Sequence, residues 1–212
     1  VDDPACAETI MLRRVYLASQ SPRRLELLRQ IGLDPLVLPL RHAPGRADVD
    51  ETPLPREAPR AYVLRLARAK TEAALAALSG RDLPAWPVIG ADTTVSLDRR
   101  ILGKPADARE AADMLRAYAG HTHSVLTGVA VAYRGRLETA VSRSRVRFAT
   151  MSEAEIAAYV ASREPLDKAG AYGIQGRAAM YVEHLSGSYS GVMGLPLHET
   201  AALLKRVGFE VL

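Results

Sequence analysis

VYLASQSPRRLELLRQIG, residues 15–32, reads as a strand, a tight turn and a helix. Val15, Tyr16 and Leu17 are strand formers. Ser21 then stands where a helix N-cap belongs, and Pro22 takes the first helical position, whose N–H has no intrahelical partner to lose. Leu25, Leu28 and Ile31 form an apolar stripe, and Gly32 is placed to stop the helix. Arg23 and Arg24 thereby fall in the first turn, where the positive end of the helix dipole favours acidic side chains. Two readings account for them. Either they are solvated arginines on a surface helix, or they belong to an anion site. Free backbone N–H groups, the Ser19 and Ser21 hydroxyls and two guanidinium forks would suit a phosphate.

Outward from this unit the chain alternates strands and helices. Pro35–Leu40 reads as a short strand, and Arg41–Pro59 as a long loop rich in proline and charge. That loop holds Asp48, Asp50 and Glu51, which are either a solvated acidic run or an acidic ligand set. Arg60–Leu78 has a helical pattern. Ala61, Arg65, Arg68 and Glu72 form one face, with Val63, Leu66, Ala67, Ala74 and Ala77 opposite. Lys70 projects from the apolar side, so it either snorkels to water or meets an anion at the edge of the core.

Val88–Leu97, VIGADTTVSL, is a buried strand interrupted by Asp92, with a turn at Asp98 to Arg100 and a short return strand at Ile101 and Leu102. Lys104 follows. Asp107 and Glu110 form one capping box and Thr150 and Glu153 another, each opening a helix. Val125–Tyr133 and Leu137–Phe148 are adjacent strands. The second carries Arg143, Arg145 and Arg147 on one face, either a solvated surface or a nucleic-acid patch that lacks interleaved aromatics. Pro165–Arg177 and Ser186–Gly194 read as glycine-rich loops, Met180–Leu185 as a strand, Pro196–Val207 as the last helix and Phe209–Leu212 as a final strand. The pattern is α/β with a mixed central sheet flanked by helices.

The chain has 212 residues, enough for one sizeable core, and is expected to form a single domain over 13–212 behind a flexible extension at 1–12. Its 48% hydrophobic and 25% charged residues exclude a disordered chain, and no apolar run is long enough to span a membrane. A net charge of +4 suits a polyanionic small molecule as well as nucleic acid. A single cysteine, Cys6, excludes an internal disulfide and points to the cytoplasm.

Phosphate-loop, dinucleotide-binding, H-E-x-x-H and C-x-x-C motifs are absent. His121 and His123, two apart, are ordinary polar sheet residues or a metal pair. What remains is a constellation of Arg23, Arg24, Lys70, Asp92 and Lys104, all at strand ends, helix starts or core edges. Four cations and one carboxylate match the roughly four negative charges of a nucleoside triphosphate.

The segments LASQSPRRLELL, YVLRLARAK, VIGADTTV, ILGKP, GHTHSVLTGVA, YVASREPLDKAGAYGIQG and GSYSGVMGLPL occur in this order between Val15 and Leu204. In them the chain resembles the Maf family of nucleoside triphosphate pyrophosphatases. The resemblance implies a fold like that of inosine triphosphate pyrophosphatases, with two lobes and a substrate cleft. It also implies cleavage between the α and β phosphates with a divalent cation, Mg²⁺ or Mn²⁺. AYGIQG resembles the branch acting on dTTP and UTP.

Carried over residue by residue, the resemblance makes Asp92 the catalytic aspartate, as base or metal ligand, with Glu51 as a second metal ligand. Arg23, Thr93 and Gln175 become specificity positions. Ser19, Arg23, Arg24, Lys70 and Lys104 become phosphate-handling positions. Gln175 can donate and accept, which matches the O4 and N3–H edge of uracil or thymine and opposes cytosine. Departures are Gln20 where glycine or serine is common, Gly-Lys-Pro in place of Glu-Lys-Pro, and a longer loop after Arg41. The expected partner is the nucleotide, with no stable nucleic-acid partner and no membrane; a homodimer is compatible. The rival readings are a nucleic-acid-binding or septum-formation regulator and a pyrophosphatase for purine or modified nucleotides.

Overall fold

The structure, a computed structural model, describes residues 13–41 and 48–211. The expected extension at 1–12, residues 42–47 of the long loop and Leu212 lie outside the described residues.

One seven-stranded mixed sheet organises the chain. Strand β1 (Arg13–Leu17) leads through helix α1 (Pro22–Gln30) to β2 (Leu33–Val37), and β1 and β2 pair in parallel. Such a pair needs a crossover, which α1 supplies. Ser21 is the N-cap, Pro22 opens the helix and Gly32 adopts a φ of 78° just past its end, as the sequence signals require. The stripe is shifted: Leu27 and Leu28 are the fully buried pair, with Leu25 and Ile31 at its margins.

Helix α2 (Pro59–Leu78) and strand β3 (Val88–Leu97) match the sequence reading to within a residue. The return strand β4 (Arg100–Leu102) is reached through Asp98 and Arg99, both at positive φ, the backbone that a two-residue hairpin turn demands. Helix α3 (Ala108–Tyr118) precedes the long antiparallel hairpin β5 (Thr122–Tyr133) and β6 (Arg136–Phe148). Helix α4 (Glu153–Ala161), three 3₁₀ turns between Glu164 and Tyr181, β7 (Val182–Ser186), α5 (Tyr189–Met193) and α6 (Leu197–Arg206) complete the chain. The sheet order is β2-β1-β3-β5-β6-β7, with β4 on β3.

Several boundaries differ from expectation for local reasons. The strand expected at Pro35–Leu40 runs from Leu33, where parallel pairing with Arg13 begins. The box expected at Thr150 and Glu153 sits two residues on, with Ser152 and Glu155 satisfying each other's backbone N–H groups. Asp107 caps α3 by accepting from Glu110 N at 2.8 Å, but the Glu110 carboxylate turns to Ala106 N, so that box is open. The loop expected at Ser186–Gly194 contains α5, capped by the Ser188 hydroxyl on Gly191 N. The stretch Pro165–Arg177 is broken into 3₁₀ turns, the strand after it starts at Val182, and 209–211 form no strand.

Helix α2 lies unusually close to the sheet. A Cβ on Gly90 would stand 2.7 Å from the Ala67 carbonyl oxygen, and one on Gly128 would overlap the Val63 carbonyl. Only glycine allows this approach, and it sets the depth at which Lys70 enters the structure. Three clusters of buried apolar side chains result. One lies under α2 (Tyr16, Val63, Leu66), one on the opposite face under α1 and α6 (Leu28, Ile89, Leu203), and one around α3 and α4 (Leu115, Phe148, Ile156).

Candidate active site

β3 has a notch in one edge. Its pairing with β1 stops at Leu17 and Ile89, extended by Ala18 N–H donating to the Ile89 carbonyl at 2.9 Å, and β4 takes over only at Val95. Residues 90–94 therefore have no strand partner on that side, because the chain after β1 turns away into α1. Asp92 and Thr93 sit in this notch. Alternation along the strand sends their side chains to opposite faces, Asp92 toward α2 and Thr93 toward α5. Ser19 and Arg24 reach the same place from the turn at the end of β1, the position where open α/β sheets hold ligands.

On the α2 face, Lys70 Nζ donates to Asp92 Oδ1 at 2.7 Å and stands 2.7 Å from Glu51 Oε1. Lys70 does not snorkel: the ammonium is buried and meets anions, two carboxylates of its own chain. Glu51 is brought there by its loop. Tyr62 Oη–H donates to the Glu51 carbonyl at 2.9 Å, and Arg65 donates to the Asp50 and Thr52 carbonyls while pairing with Glu57. The other acidic residues of the loop face elsewhere. Asp48 pairs with Arg41, and Asp50 accepts from Thr52 N. Burial pushes the Asp92 carboxyl above its ordinary value, opposed by the charge and hydrogen bond of Lys70 and by the charge of Arg24.

On the other face, Arg24 is the hub. Its Nε–H donates to the Gly194 carbonyl at 2.8 Å, one Nη–H to Ser19 Oγ at 3.1 Å and another to Thr93 Oγ1 at 3.3 Å. Among the described residues three of its five N–H groups are thus engaged and two remain. Burial draws its pKa below the ordinary arginine value, the charge of Asp92 pulling the other way. Ser19 Oγ also accepts from Ser21 N at 3.2 Å, so its own hydrogen is left to donate outward. The Ser21 side chain makes no cap bond, leaving the start of α1 uncapped by its N-cap hydroxyl. Thr93 Oγ1 lies 2.9 Å from Thr127 Oγ1, which donates to the Gly191 carbonyl at 2.7 Å.

Arg23 acts on the 3₁₀ segment. Although burial opposes it, the Lys168 hydrogen bond and charge, with the charge of Arg23, hold the Asp167 carboxyl below its ordinary value. That segment carries Gln175. Glu164 organises it, accepting from Tyr159 Oη–H at 2.9 Å and from Arg177 N at 3.1 Å while lying against Gly176. Gly170 presses on Val95, and its N–H donates to the Gly103 carbonyl at 2.8 Å, which sets the residue before Lys104 against the same segment. Gln175 and Lys104 are exposed at this rim, and no hydrogen bond joins either to the Asp92 or Arg24 group among the described residues. Thr127, Glu164 and Tyr62 lie in the segments GHTHSVLTGVA, YVASREPLDKAGAYGIQG and YVLRLARAK, but only Thr127, a threonine inside the apolar run VLTGVAVAY, stands out from its neighbours as Asp92 does in its strand.

The histidines are not a pair. His121 Nδ1 contacts the Ala119 carbonyl at the surface, whereas His123 is buried and hydrogen-bonded to Tyr172 Oη at 2.7 Å. Arg143, Arg145 and Arg147 are exposed; Arg143 donates to Ser124 and Arg147 pairs with Glu183. A separate groove of about 320 Å³ between Tyr16, Trp86 and Tyr133 is lined by none of the candidate residues.

A family model described as Maf-like protein matches residues 14–207. The chain belongs to this family. It is 53% identical over 204 residues to a protein of Nitrosospira multiformis, covering 96% of this chain and 99% of that one. It is 54% identical to a protein of Dechloromonas aromatica (94% and 100% covered) and 54% identical to one of Aromatoleum aromaticum (93% and 97%). Each of these relatives is named dTTP/UTP pyrophosphatase. The match spans every element of the notch, from β1 to α6.

Proposed function

We propose that this chain hydrolyses dTTP and UTP to the monophosphate and pyrophosphate, as a cytoplasmic enzyme of the nucleotide pool. The observation that carries the reading is Asp92, a buried carboxylate in a sheet notch, with a cation 2.7 Å away and an anion-ready helix start beside it. Relatives with more than half their residues in common carry that activity in their names.

In the proposed reaction, a water oxygen attacks the α-phosphorus and the bond to the bridging oxygen of the β-phosphate breaks. Asp92 takes the water's proton; its raised pKa makes it a better base than a solvated aspartate. Lys70 fixes the carboxylate and limits that rise. The Ser19 hydroxyl, the two unused N–H groups of Arg24, Arg23 and Lys104 neutralise the phosphates and the departing pyrophosphate. Thr93 and Gln175 read the base.

A divalent cation fits the donor set. Asp92 and Glu51 each place a carboxylate oxygen 2.7 Å from the Lys70 ammonium, and magnesium is commonly bound by one or two carboxylates with substrate oxygens and water completing its shell. No cluster of three such side chains occurs among the described residues; by the resemblance, Asp92 and Glu51 would hold the ion. When bound it would supply charge neutralisation at the triphosphate and lower the pKa of a coordinated water.

The test is a panel of nucleoside triphosphates, with Mg²⁺ or Mn²⁺, assayed separately for pyrophosphate and orthophosphate. Pyrophosphate release greatest with dTTP and UTP supports the reading; orthophosphate release, or no turnover of either, overturns it.

A further inference from the structure

The hydrogen-bond chain behind Thr93 has a fixed direction. Thr127 is 1% exposed, and its Oγ1 lies 2.7 Å from the Gly191 carbonyl oxygen, which can only accept. The single hydroxyl hydrogen of Thr127 is therefore committed to Gly191. The 2.9 Å contact between the two threonine oxygens then requires Thr93 to donate to Thr127. The alternative acceptor for Thr93, the Gly194 carbonyl, is farther at 3.5 Å. Arg24, a pure donor, occupies one lone pair of Thr93 at 3.3 Å. What Thr93 has left to offer a ligand is a lone pair and no hydrogen.

We infer that Thr127 is a specificity-determining positioning residue: it locks Thr93 as a hydrogen-bond acceptor, so that the site takes a base with a ring N–H and turns away one with a ring lone pair. The inference rests on the proposed base-facing role of Thr93. A free hydroxyl rotates and serves either partner, and discriminates poorly. A hydroxyl whose hydrogen is tied down meets the N3–H of uracil or thymine, but leaves the N3 lone pair of cytosine facing another lone pair with no proton between them. Sites built in this way reject the mismatched analogue because a polar group is left unpaired. The device is set by the register that places Thr127 opposite Thr93 and by α5, which holds the Gly191 carbonyl over the pair.

The experiment compares kcat/KM for dTTP and dCTP in the wild type, Thr127→Val, Thr127→Ser and Thr93→Val. It also compares UTP with its N3-methyl analogue in the wild type. Thr127→Val frees the Thr93 hydroxyl to turn, and the dTTP-to-dCTP ratio falls by about tenfold or more; Thr127→Ser keeps a hydroxyl that accepts from Thr93 and keeps the ratio within about threefold. The N3-methyl analogue is turned over at least about tenfold less efficiently than UTP. A wild-type ratio in Thr127→Val, or equal turnover of the methylated analogue, overturns the inference. If Thr93→Val shifts the ratio while Thr127→Val does not, the base-facing role of Thr93 survives and the locking role of Thr127 falls. If neither shifts it, both fall. Should Thr127→Val not fold, Thr127→Ala, which removes the same acceptor, takes its place: a fallen dTTP-to-dCTP ratio supports the inference and a wild-type ratio overturns it.

Discussion

The ammonium of Lys70 lies 2.7 Å from the carboxylate of Asp92, and both side chains are about nine-tenths buried. The pair ties α2 to the middle of β3 across a protein interior. Charges this deep are stable only together, because each alone would keep its desolvation cost without the attraction that offsets it. Lys70→Met is expected to lower unfolding stability by about 3–5 kcal/mol, and the double variant with Asp92→Asn to lose less than the sum of the two single changes. Denaturant melts of the four proteins measure this. Additive losses would show that the pair is not coupled.

The pH dependence of turnover follows from the same contact. Burial raises the Asp92 pKa and Lys70 opposes the rise. The base form is the ionised one, so kcat/KM increases with pH on its acid limb, with a midpoint above the 3.8 of an ordinary aspartate. Removing the lysine charge moves that limb to still higher pH. A rate profile of wild type and Lys70→Met checks the sign; a shift to lower pH would contradict it.

Gly128→Ala tests how Lys70 comes to reach Asp92. The added methyl meets the Val63 carbonyl, which is helix backbone and cannot swing aside. The helix must move off the sheet, at a cost of about 1–3 kcal/mol, and turnover falls as Lys70 is drawn away from Asp92, the residue opposite Gly128 in the sheet. Retained stability and full activity would show that α2 has slack against the sheet.

His123 gives the fold a pH dependence separate from the site. Burial among Tyr118, Phe148 and Tyr172 lowers its pKa to about 4, from 6.5. The unfolded chain thus binds a proton that the folded one refuses. Stability is complete above about pH 6.5 and falls as the pH drops toward 4, by up to about 3 kcal/mol across that window. His123→Asn is expected to melt with a shallower pH slope between about pH 6.5 and 5. An unchanged slope would assign the effect to other groups.

The sequence carried those parts of the site that local chemistry marks. Pro22 and Gly32 bracket α1 so sharply that Arg23 and Arg24 could be placed on its first turn, and an aspartate inside VIGADTTV stands out against its apolar neighbours. It did not carry what depends on distant contacts. That Lys70 meets Glu51 as well as Asp92 depends on Tyr62 and Arg65 pinning a loop whose sequence shows only proline and charge. α5 escaped because a five-residue helix has no periodicity to detect, and the Ser152 cap was hidden by a competing Thr150 two residues earlier. Thr127 looked like one more strand residue until the register set it opposite Thr93.

The central claim is that Asp92 is the base for attack at the α-phosphorus. Pyrophosphate release from dTTP by Asp92→Asn, measured beside the equilibrium binding of the same nucleotide, tests it most directly. The account predicts a rate lower by about a thousandfold or more, roughly 4 kcal/mol of barrier, with nucleotide binding largely retained. A variant that keeps more than about a tenth of the wild-type rate, a change under 1.4 kcal/mol, would contradict it.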